Sequence, residues 1–272
     1  MLNQRVQKRG HPGTVFILGV RVDNMDEASA LDLIGRFLSS RNGSISYTVF
    51  FVNVHSIHLA RRDRGLLHTI NLADVVLPDG SGLKIAGKLF GTPIVQNLNG
   101  TDFVPRVLQS AQEQGWTIYL LGGGPEVVRR CRENMLKLYP TLEVVGMHPG
   151  YFKPDEEQEI IDDINEKKPD ILLVALGSPL QEKWIARNAG LLKARTCFAV
   201  GGLFDFLSGA FPRAPRWMRV AGLEWLFRFV QDPLRKWQRV AVEIPLFLAL
   251  VVAKRLMPRR LKHWINRLRL AR

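Results

Sequence analysis

An aspartate stands directly after an apolar run in the segment Leu77-Pro78-Asp79-Gly80. A carboxylate at the end of a buried strand is well placed to take a proton from a substrate hydroxyl as a general base. Asp followed by Gly is also common turn chemistry, in which the carboxylate bonds only to nearby backbone. The residues alone therefore leave two roles open for Asp79, catalysis and turn formation.

Three loops rich in glycine each follow an apolar run and precede a helical pattern, and they begin at Gly122-Gly123, Gly177-Ser178 and Gly201-Gly202. Backbone N–H groups in such loops can approach a phosphate closely, and a helix N-terminus adds partial positive charge. The first loop fits neither the Walker pattern nor G-x-G-x-x-G, so a tight strand–helix turn is an equally good interpretation of it. Gln181, in the first turn of the helix after Gly177, can hydrogen-bond a uracil or a sugar hydroxyl.

Metal-dependent and hydrolytic chemistry have little support in this chain. His55 and His58 lie near a predicted strand end, but no third ligand has a suitable spacing for zinc. Cys131 and Cys197 are isolated, and they form neither a metal-binding spacing nor a disulfide framework. The chain contains neither an Asp-x-Asp motif nor a G-x-S-x-G elbow. We therefore expect an active site without a metal ion or a bound cofactor.

These candidate residues must be positioned by a scaffold, and its elements are visible as short β-rich segments that alternate with longer helical patterns. Repeated strand–helix alternation predicts an α/β fold, Rossmann-like, with a mainly parallel sheet flanked by helices. Ligands of such sheets bind beyond the carboxyl ends of the strands, where the loops named above lie. The predicted strands are 14–20, 45–53, 73–77, 117–121, 142–147, 171–176 and 196–200, and the predicted helices between them include 25–40, 56–70 and 155–167.

Net charge is distributed unevenly along the 272 residues. The formal net charge of the chain is +13, and residues 211–272 carry +12 of it. The same segment holds four of the six tryptophans and the ten-residue apolar run 244–253. We therefore predict an α/β catalytic domain at residues 1–210 and a basic, amphipathic, helical appendage at residues 211–272 that associates with a membrane.

An anionic membrane surface and nucleic acid are the two partners that such a basic segment fits. Leu261, Trp264, Ile265 and Leu268 form one apolar stripe among basic residues, which favours the membrane surface. Packing of this stripe on the body, or on a partner subunit in a homo-oligomer, is the other interpretation. Ten apolar residues are too few to span a bilayer, for which about 20 are needed. Because no segment is typical of a signal peptide, we expect a cytoplasmic, peripheral protein.

Ten short motifs follow one another along residues 14–240. They are Asn53-x-His55-Ser56, Leu77-Pro78-Asp79-Gly80-x-Gly82, Asn99-Gly100-Thr101-Asp102, Leu121-Gly122-Gly123, Gly150-Tyr151-Phe152, Pro169-Asp170-Ile171, Gly177-Ser178-Pro179-x-Gln181-Glu182-Lys183-Trp184, Gly201-Gly202-x-Phe204-Asp205, Arg213-Ala214-Pro215-x-Trp217 and Gly222-Leu223-Glu224-Trp225-x-x-Arg228. No single motif is decisive, but the ordered set is specific. It resembles the WecG/TagA/CpsF family of glycosyltransferases, glycosyltransferase family 26.

The resemblance implies an inverting, metal-independent transfer of a sugar, of N-acetylmannosamine or glucuronic acid type, from a UDP-sugar. The acceptor would be a sugar linked to a polyprenyl diphosphate at the cytoplasmic face of the bacterial inner membrane, in polysaccharide biosynthesis. The alternative is a basic α/β protein that binds nucleic acid or a membrane surface without transferase activity. Assays with a panel of UDP-sugars test for transferase activity. A comparison of liposome binding with DNA binding separates the membrane surface from nucleic acid as the partner.

The resemblance places the family's catalytic base on Asp79 and its active-site asparagine on Asn53. Two positions depart from the family pattern, since Phe51-Val52 stands where many members have Thr-Pro and Asn97 stands where many have Arg. Both departures leave the sugar identity open. From the loops and the resemblance together, the predicted substrate-binding residues are Gln181, Gly122, Gly123, Gly177 and Asp102, with Arg228, Arg235 and Arg239 for the diphosphate.

Overall fold

The computed structural model describes residues 13–40 and 46–257. Its strands are β1 (Thr14–Ile17), β2 (Val20–Asp23), β3 (Tyr47–Val52), β4 (Val75–Pro78), β5 (Thr117–Gly122), β6 (Glu143–His148), β7 (Ile171–Ala175) and β8 (Thr196–Ala199). The last six form one parallel sheet in the order β4-β3-β8-β7-β5-β6. The predicted α/β class and Rossmann-like parallel sheet are confirmed.

Helices cover both faces of the sheet. They are α1 (Glu27–Ser39), α2 (Val54–Arg62), α3 (Arg64–Leu72), α4 (Ser81–Phe90), α5 (Gly100–Gln114), α6 (Pro125–Leu138), α7 (Glu157–Lys167), α8 (Leu180–Asn188), α9 (Leu203–Leu207), α10 (Arg216–Val220), α11 (Glu224–Gln231), α12 (Pro233–Gln238) and α13 (Ile244–Leu256). A 3₁₀ turn at Pro154–Glu156 precedes α7, and a π-helical turn at Arg239–Glu243 connects α12 to α13. The sequence patterns did not predict α4 and α5.

Two predicted elements are each divided in the structure. The predicted strand 14–20 is an antiparallel hairpin of β1 and β2, because Leu18 and Gly19 both adopt positive φ and form a tight turn. The predicted helix 56–70 is two helices, because Asp63 ends α2 and its side chain accepts from the N–H of Leu66 to cap α3.

The central strands are buried on both faces, as the continuous apolar sequence of β7 requires. Phe50 and Leu172 belong to the cluster on one face of the sheet, and Val49 and Leu173 belong to the cluster on the other. Parallel strands aligned in this way bring their carboxyl ends to one edge. The loops that carry the predicted site residues therefore converge there.

The C-terminal helices return to this edge of the body. In α13, Phe247 is 3% exposed and Val251 is fully buried, and both join the core cluster that contains Ile57 of α2 and Leu83 of α4. The apolar run 244–253 thus packs one face on protein. Within the described ranges, no helix combines the length and the apolar character needed to cross a membrane. The amphipathic stripe Leu261–Leu268 lies outside the described residues, and the division of the chain at residue 210 stays a prediction.

Candidate active site

Asn53 and Asp79 follow the neighbouring strands β3 and β4, and the structure brings their side chains together. Nδ2 of Asn53 donates a hydrogen bond to Oδ2 of Asp79 at 3.2 Å. Oδ1 of Asn53 accepts from the backbone N–H of Ser56 at 3.0 Å, which caps α2 and sets the orientation of the amide. The N–H of Asp79 donates to the carbonyl oxygen of Val52 at 2.8 Å. The predicted catalytic pair is therefore anchored on both sides by the backbone.

The Asp79 carboxyl lies in a partly enclosed position, and burial raises its pKa above the ordinary value for aspartate. The positive charge of Arg228 and the hydrogen bond from Asn53 oppose this rise in pKa, as does the charge of Arg239. A general base works best when its pKa lies near the working pH, so a raised pKa makes Asp79 a stronger base than a hydrated aspartate.

Asn97 supports the backbone that carries Asp79. Its Oδ1 accepts from the N–H of Gly80 at 2.6 Å, and the neighbouring N–H of Leu98 donates to the carbonyl oxygen of Pro78 at 2.9 Å. Gly80 has a φ of 101°, a conformation that costs other residue types strain. One of the two departures from the family pattern thus has a structural role in this chain, which is to hold the loop after β4.

Asp102 stands in the first turn of α5 and connects the body to the C-terminal helices. Its Oδ1 accepts from Nη2 of Arg213 at 2.7 Å and from Nη1 of Arg219 at 3.1 Å. Its Oδ2 accepts from Nδ2 of Asn99 at 2.8 Å. Burial alone would raise the pKa of Asp102, but these hydrogen bonds and the two arginine charges outweigh it and lower the pKa. Both oxygens therefore have partners within the protein.

Two of the three predicted diphosphate arginines face Asp79. Nε and Nη2 of Arg228 donate to Oε1 of Glu224 at 3.1 and 2.6 Å, and the guanidinium lies 4.5 Å above the ring of Phe206. Arg239 is half-buried, and its guanidinium makes no hydrogen bond or ion pair with the part of the chain that the structure describes. Such a cation is available to an anionic ligand. The side chain of Arg235 lies outside the described part of the structure.

A first cavity of about 410 Å³ opens between the body and the C-terminal helices. The polar residues that line it include Asn53, Asp79, Asn97 and Arg228. The large apolar residues that line it include Ile85, Trp225, Val240, Ile244, Phe247 and Leu248. The cavity thus combines charged groups with an apolar lining of the kind that accommodates hydrocarbon.

A second cavity of about 320 Å³ lies over the carboxyl ends of β3, β8 and β7. Its lining is mostly polar and includes Gly177, Ser178, Gln181, Gly201 and Gly202. Asn53, Asp79, Arg228 and Arg239 line this cavity as well as the first one. The two cavities therefore meet at the Asn53–Asp79 pair. Among the described residues, no group of three or more His, Cys, Asp or Glu side chains is arranged to hold a metal ion.

Comparison with known proteins matches residues 15–261 to the model of the glycosyl transferase WecG/TagA/CpsF family. The chain belongs to this family. Two similar relatives are both named N-acetylglucosaminyldiphosphoundecaprenol N-acetyl-beta-D-mannosaminyltransferase. The relative from Bacillus spizizenii is 32% identical over 67% of this chain and 70% of its own length. The relative from Staphylococcus aureus strain MW2 is 28% identical over 89% of this chain and 94% of its own length. The predicted family and the predicted enzyme class, a glycosyltransferase of the hexosyltransferase type, are confirmed.

In this WecG/TagA/CpsF enzyme the predicted site residues divide into two groups. Asn53, Asp79, Gly177, Gln181, Asp102, Arg228 and Arg239 all line one or both cavities. Gly122 and Gly123 line neither, and the N–H of Gly123 donates to the carbonyl oxygen of Ala175 at 3.2 Å. The roles of all these residues in binding and catalysis stay predictions.

Three residues of the site were missed by the sequence reasoning. Glu182 is not among the predicted site residues, but its side chain is buried and lines the second cavity. Nδ1 of His55 lies 2.8 Å from Oε2 of Glu243, which links α2 to the turn that carries Arg239. A buried glutamate has no signature in sequence, whereas a histidine inside the motif after Asn53 was a visible signal.

Proposed function

We propose that this enzyme transfers N-acetylmannosamine from its UDP-sugar to N-acetylglucosamine linked to a polyprenyl diphosphate, with inversion at the anomeric carbon. The observation that carries the proposal is the position of Asp79, which lines both cavities at the point where they meet. A transferase needs its general base beside the acceptor hydroxyl, at the point where that hydroxyl meets the donor carbon, because the proton leaves as the new bond forms. The identity of the sugars is taken from the names of the two relatives.

The second cavity is the donor site in this proposal. It lies at the carboxyl ends of parallel strands, where nucleotides bind in α/β sheets, and it is lined by the glycine loops at Gly177 and Gly201. Arg228 and Arg239 lie on the same cavity. Guanidinium groups match phosphate oxygens in geometry and charge, so these two arginines bind the diphosphate.

The first cavity is the acceptor site. The acceptor hydroxyl lies beside Asp79, which lines this cavity, and the apolar residues that line it accommodate the first isoprene units of the lipid. Asp102 does not bind substrate directly in this proposal. It positions the C-terminal helices through Arg213 and Arg219, and thereby keeps the first cavity closed on that side.

In the reaction, Asp79 takes the proton of the acceptor hydroxyl as its oxygen attacks the anomeric carbon from the side opposite the nucleotide. The bond between that carbon and the β-phosphate oxygen breaks, and its electron pair leaves with UDP. Arg228 and Arg239 stabilise the charge on the departing diphosphate. Since two cations in the site already offset this charge, we propose that the transfer needs no divalent metal ion.

We further propose that the enzyme works as a peripheral protein at the cytoplasmic face of the bacterial inner membrane. Large apolar side chains are exposed on the C-terminal helices, among them Trp217, Leu234, Trp237 and Leu256. Exposed tryptophan and leucine beside basic residues fit the interface of an anionic bilayer. Trp225, Ile244, Phe247 and Leu248, which line the first cavity, also belong to the C-terminal helices, so a docked enzyme receives its acceptor from the lipid.

The direct test is an assay of purified enzyme with UDP-N-acetylmannosamine and a short-chain lipid diphosphate that carries N-acetylglucosamine. We expect release of UDP and a product heavier by one N-acetylhexosamine, with the opposite anomeric configuration to the donor. UDP-N-acetylglucosamine and UDP-glucuronic acid serve as comparison donors. Preferential turnover of UDP-glucuronic acid would contradict the sugar assignment, and absence of transfer from every donor would contradict the proposed reaction.

A further inference from the structure

Glu182 is a buried carboxyl in the first turn of α8, and it is one of the residues that line the second cavity. Its residue is 2% exposed. Oε2 of Glu182 is buried and makes no hydrogen bond of good geometry with the part of the chain that the structure describes. The same holds for Oγ of Ser178 in the loop before the helix, although this hydroxyl lies close enough to the carboxyl to lower its pKa. Buried polar groups are nearly always hydrogen-bonded, so two unsatisfied oxygens on one cavity indicate a ligand that supplies the partners.

The neighbouring amide of Gln181 has a defined orientation. Its Oε1 accepts from the backbone N–H of Gly201 at 2.9 Å, and its Nε2 donates to Oε1 of Glu182 at 3.1 Å. A chain of hydrogen bonds therefore runs from the loop after β8 through Gln181 to Glu182. One oxygen of Glu182 is held by this chain, and the other remains for a ligand.

We infer that Glu182 is a donor-binding residue, whose Oε2 forms a hydrogen bond with a hydroxyl of the sugar that is transferred. This inference rests on the proposed function of the second cavity as the donor site. It assigns Ser178 as the neighbouring contact and Gln181 as the residue that positions Glu182.

The sugar, rather than the phosphates, is the part of the donor that suits this position. Asp79 lines the same cavity and must lie beside the anomeric carbon, so the sugar ring occupies the space near it. A carboxyl group accepts from hydroxyls but repels phosphate, and the arginines that suit phosphate belong to the C-terminal helices. Burial raises the pKa of Glu182, against the lowering effects of the hydrogen bond from Gln181, of a backbone N–H and of the nearby Ser178 hydroxyl.

The test compares Glu182→Met, Glu182→Gln and wild type in calorimetric binding of UDP-N-acetylmannosamine and of UDP alone. Methionine has a similar length but forms no such hydrogen bond, so we expect affinity for the UDP-sugar to fall by about tenfold or more and affinity for UDP to stay within about twofold. Glutamine keeps a polar group at the same place and should restore most of the affinity. Lys183→Met, on the exposed side of the same helix, is the matched control and should behave as wild type.

UDP-sugars that each lack one ring hydroxyl identify the contact. One of these analogues should bind wild type more weakly than the complete UDP-sugar does. The same analogue and the complete UDP-sugar should bind Glu182→Met equally well, because methionine forms no hydrogen bond with the missing hydroxyl. Thermal unfolding separates binding from structure: removal of an unsatisfied buried carboxyl should leave the midpoint unchanged or raise it. A lower midpoint with unchanged binding of the UDP-sugar would overturn the inference in favour of a structural role.

Two further outcomes are informative. An equal loss of affinity for UDP and the UDP-sugar in Glu182→Met would place the contact on the nucleotide and overturn the inference. Failure of wild type to bind any UDP-sugar would instead reject the proposed function, and the binding measurement detects that without an acceptor or turnover. The two proposals therefore fail in distinguishable ways.

Discussion

Nδ2 of Asn53 donates to Oδ2 of Asp79 at 3.2 Å, while the other end of the same amide is held by the N–H of Ser56 at 3.0 Å. The amide therefore presents its donor to the carboxylate. A donor of this kind stabilises the charged form of the aspartate against burial. Asn53 thus acts on the basicity of Asp79 as well as on its position, and this relationship can be tested separately from catalysis.

Replacement of the base should abolish most of the turnover and leave the fold intact. For Asp79→Asn we expect kcat to fall by about 10²–10⁴, which is the usual contribution of a general base. The thermal midpoint should stay near that of wild type, because the substitution keeps the shape of the side chain. Asp162→Asn, an exposed aspartate on α7, is the control. Near-normal turnover in a folded Asp79→Asn enzyme would reject the assignment.

The pH dependence of kcat/KM should report the environment of Asp79. Because burial raises its pKa, the activity should fall on acidification at a pH above the ordinary aspartate value of about 3.9. Asn53→Ala removes a hydrogen bond that lowers this pKa, so the acidic limb should move to higher pH. A measured rate–pH profile for both proteins tests this. If the acidic limb of the profile lies at the same pH in Asn53→Ala and in wild type, a group other than Asp79 controls that limb.

Chelation should leave the activity intact, because Arg228 and Arg239 offset the diphosphate charge in our proposal. The measurement is turnover in excess EDTA, followed by addition of magnesium or manganese. Loss of turnover that either metal restores would show that a metal ion takes this role instead.

Arg239→Gln should raise the KM for the UDP-sugar, lower kcat, and weaken the binding of UDP. Its guanidinium makes no hydrogen bond or ion pair with the described residues, so we expect the loss to concern ligand binding rather than the fold. Arg216→Gln, on the exposed side of α10, provides the comparison. If Arg239→Gln and Arg216→Gln have equal kinetics, the assignment of Arg239 to the active site is wrong.

Binding to anionic vesicles should depend on exposed apolar residues of the C-terminal helices. Leu234 is 88% exposed and Leu256 is 76% exposed, so Leu234→Glu with Leu256→Glu should weaken binding without a change in thermal midpoint. Leu138→Glu, at a residue 63% exposed on α6 of the body, should bind as wild type. Flotation with vesicles of phosphatidylglycerol measures all three. Unchanged flotation of the double variant would indicate another docking surface.

The scaffold was largely predictable from the sequence, because apolar strand runs alternate regularly with helical patterns along the chain. The runs that became β3, β5, β7 and β8 are apolar and end at glycine or small polar residues, which is how parallel strands buried on both faces must appear. The hairpin of β1 and β2 was not predicted because its turn places Leu18 at a positive φ, a conformation that leucine rarely adopts.

The candidate site was predictable only where a residue type and a strand end coincide. Asn53 and Asp79 met that condition, and the two loops lie side by side because β3 and β4 are neighbours. Glu182 did not, since its burial depends on how α8 packs against the sheet. The use of Asp102 as an anchor for Arg213 depends on contacts between residues distant in sequence, which no local pattern records.

Phe247 of α13 lines the first cavity, and Arg239, which lines both cavities, comes just before α13 in the chain. During synthesis the strands and Asp79 leave the ribosome well before either of these residues, and the α/β body can begin to fold first. In our proposal, a nascent chain therefore holds the base and the glycine loops while it still lacks Arg239, the cation assigned to the diphosphate. On the same proposal, transfer to the acceptor begins only after the C-terminal helices have emerged, so translation itself delays the first turnover.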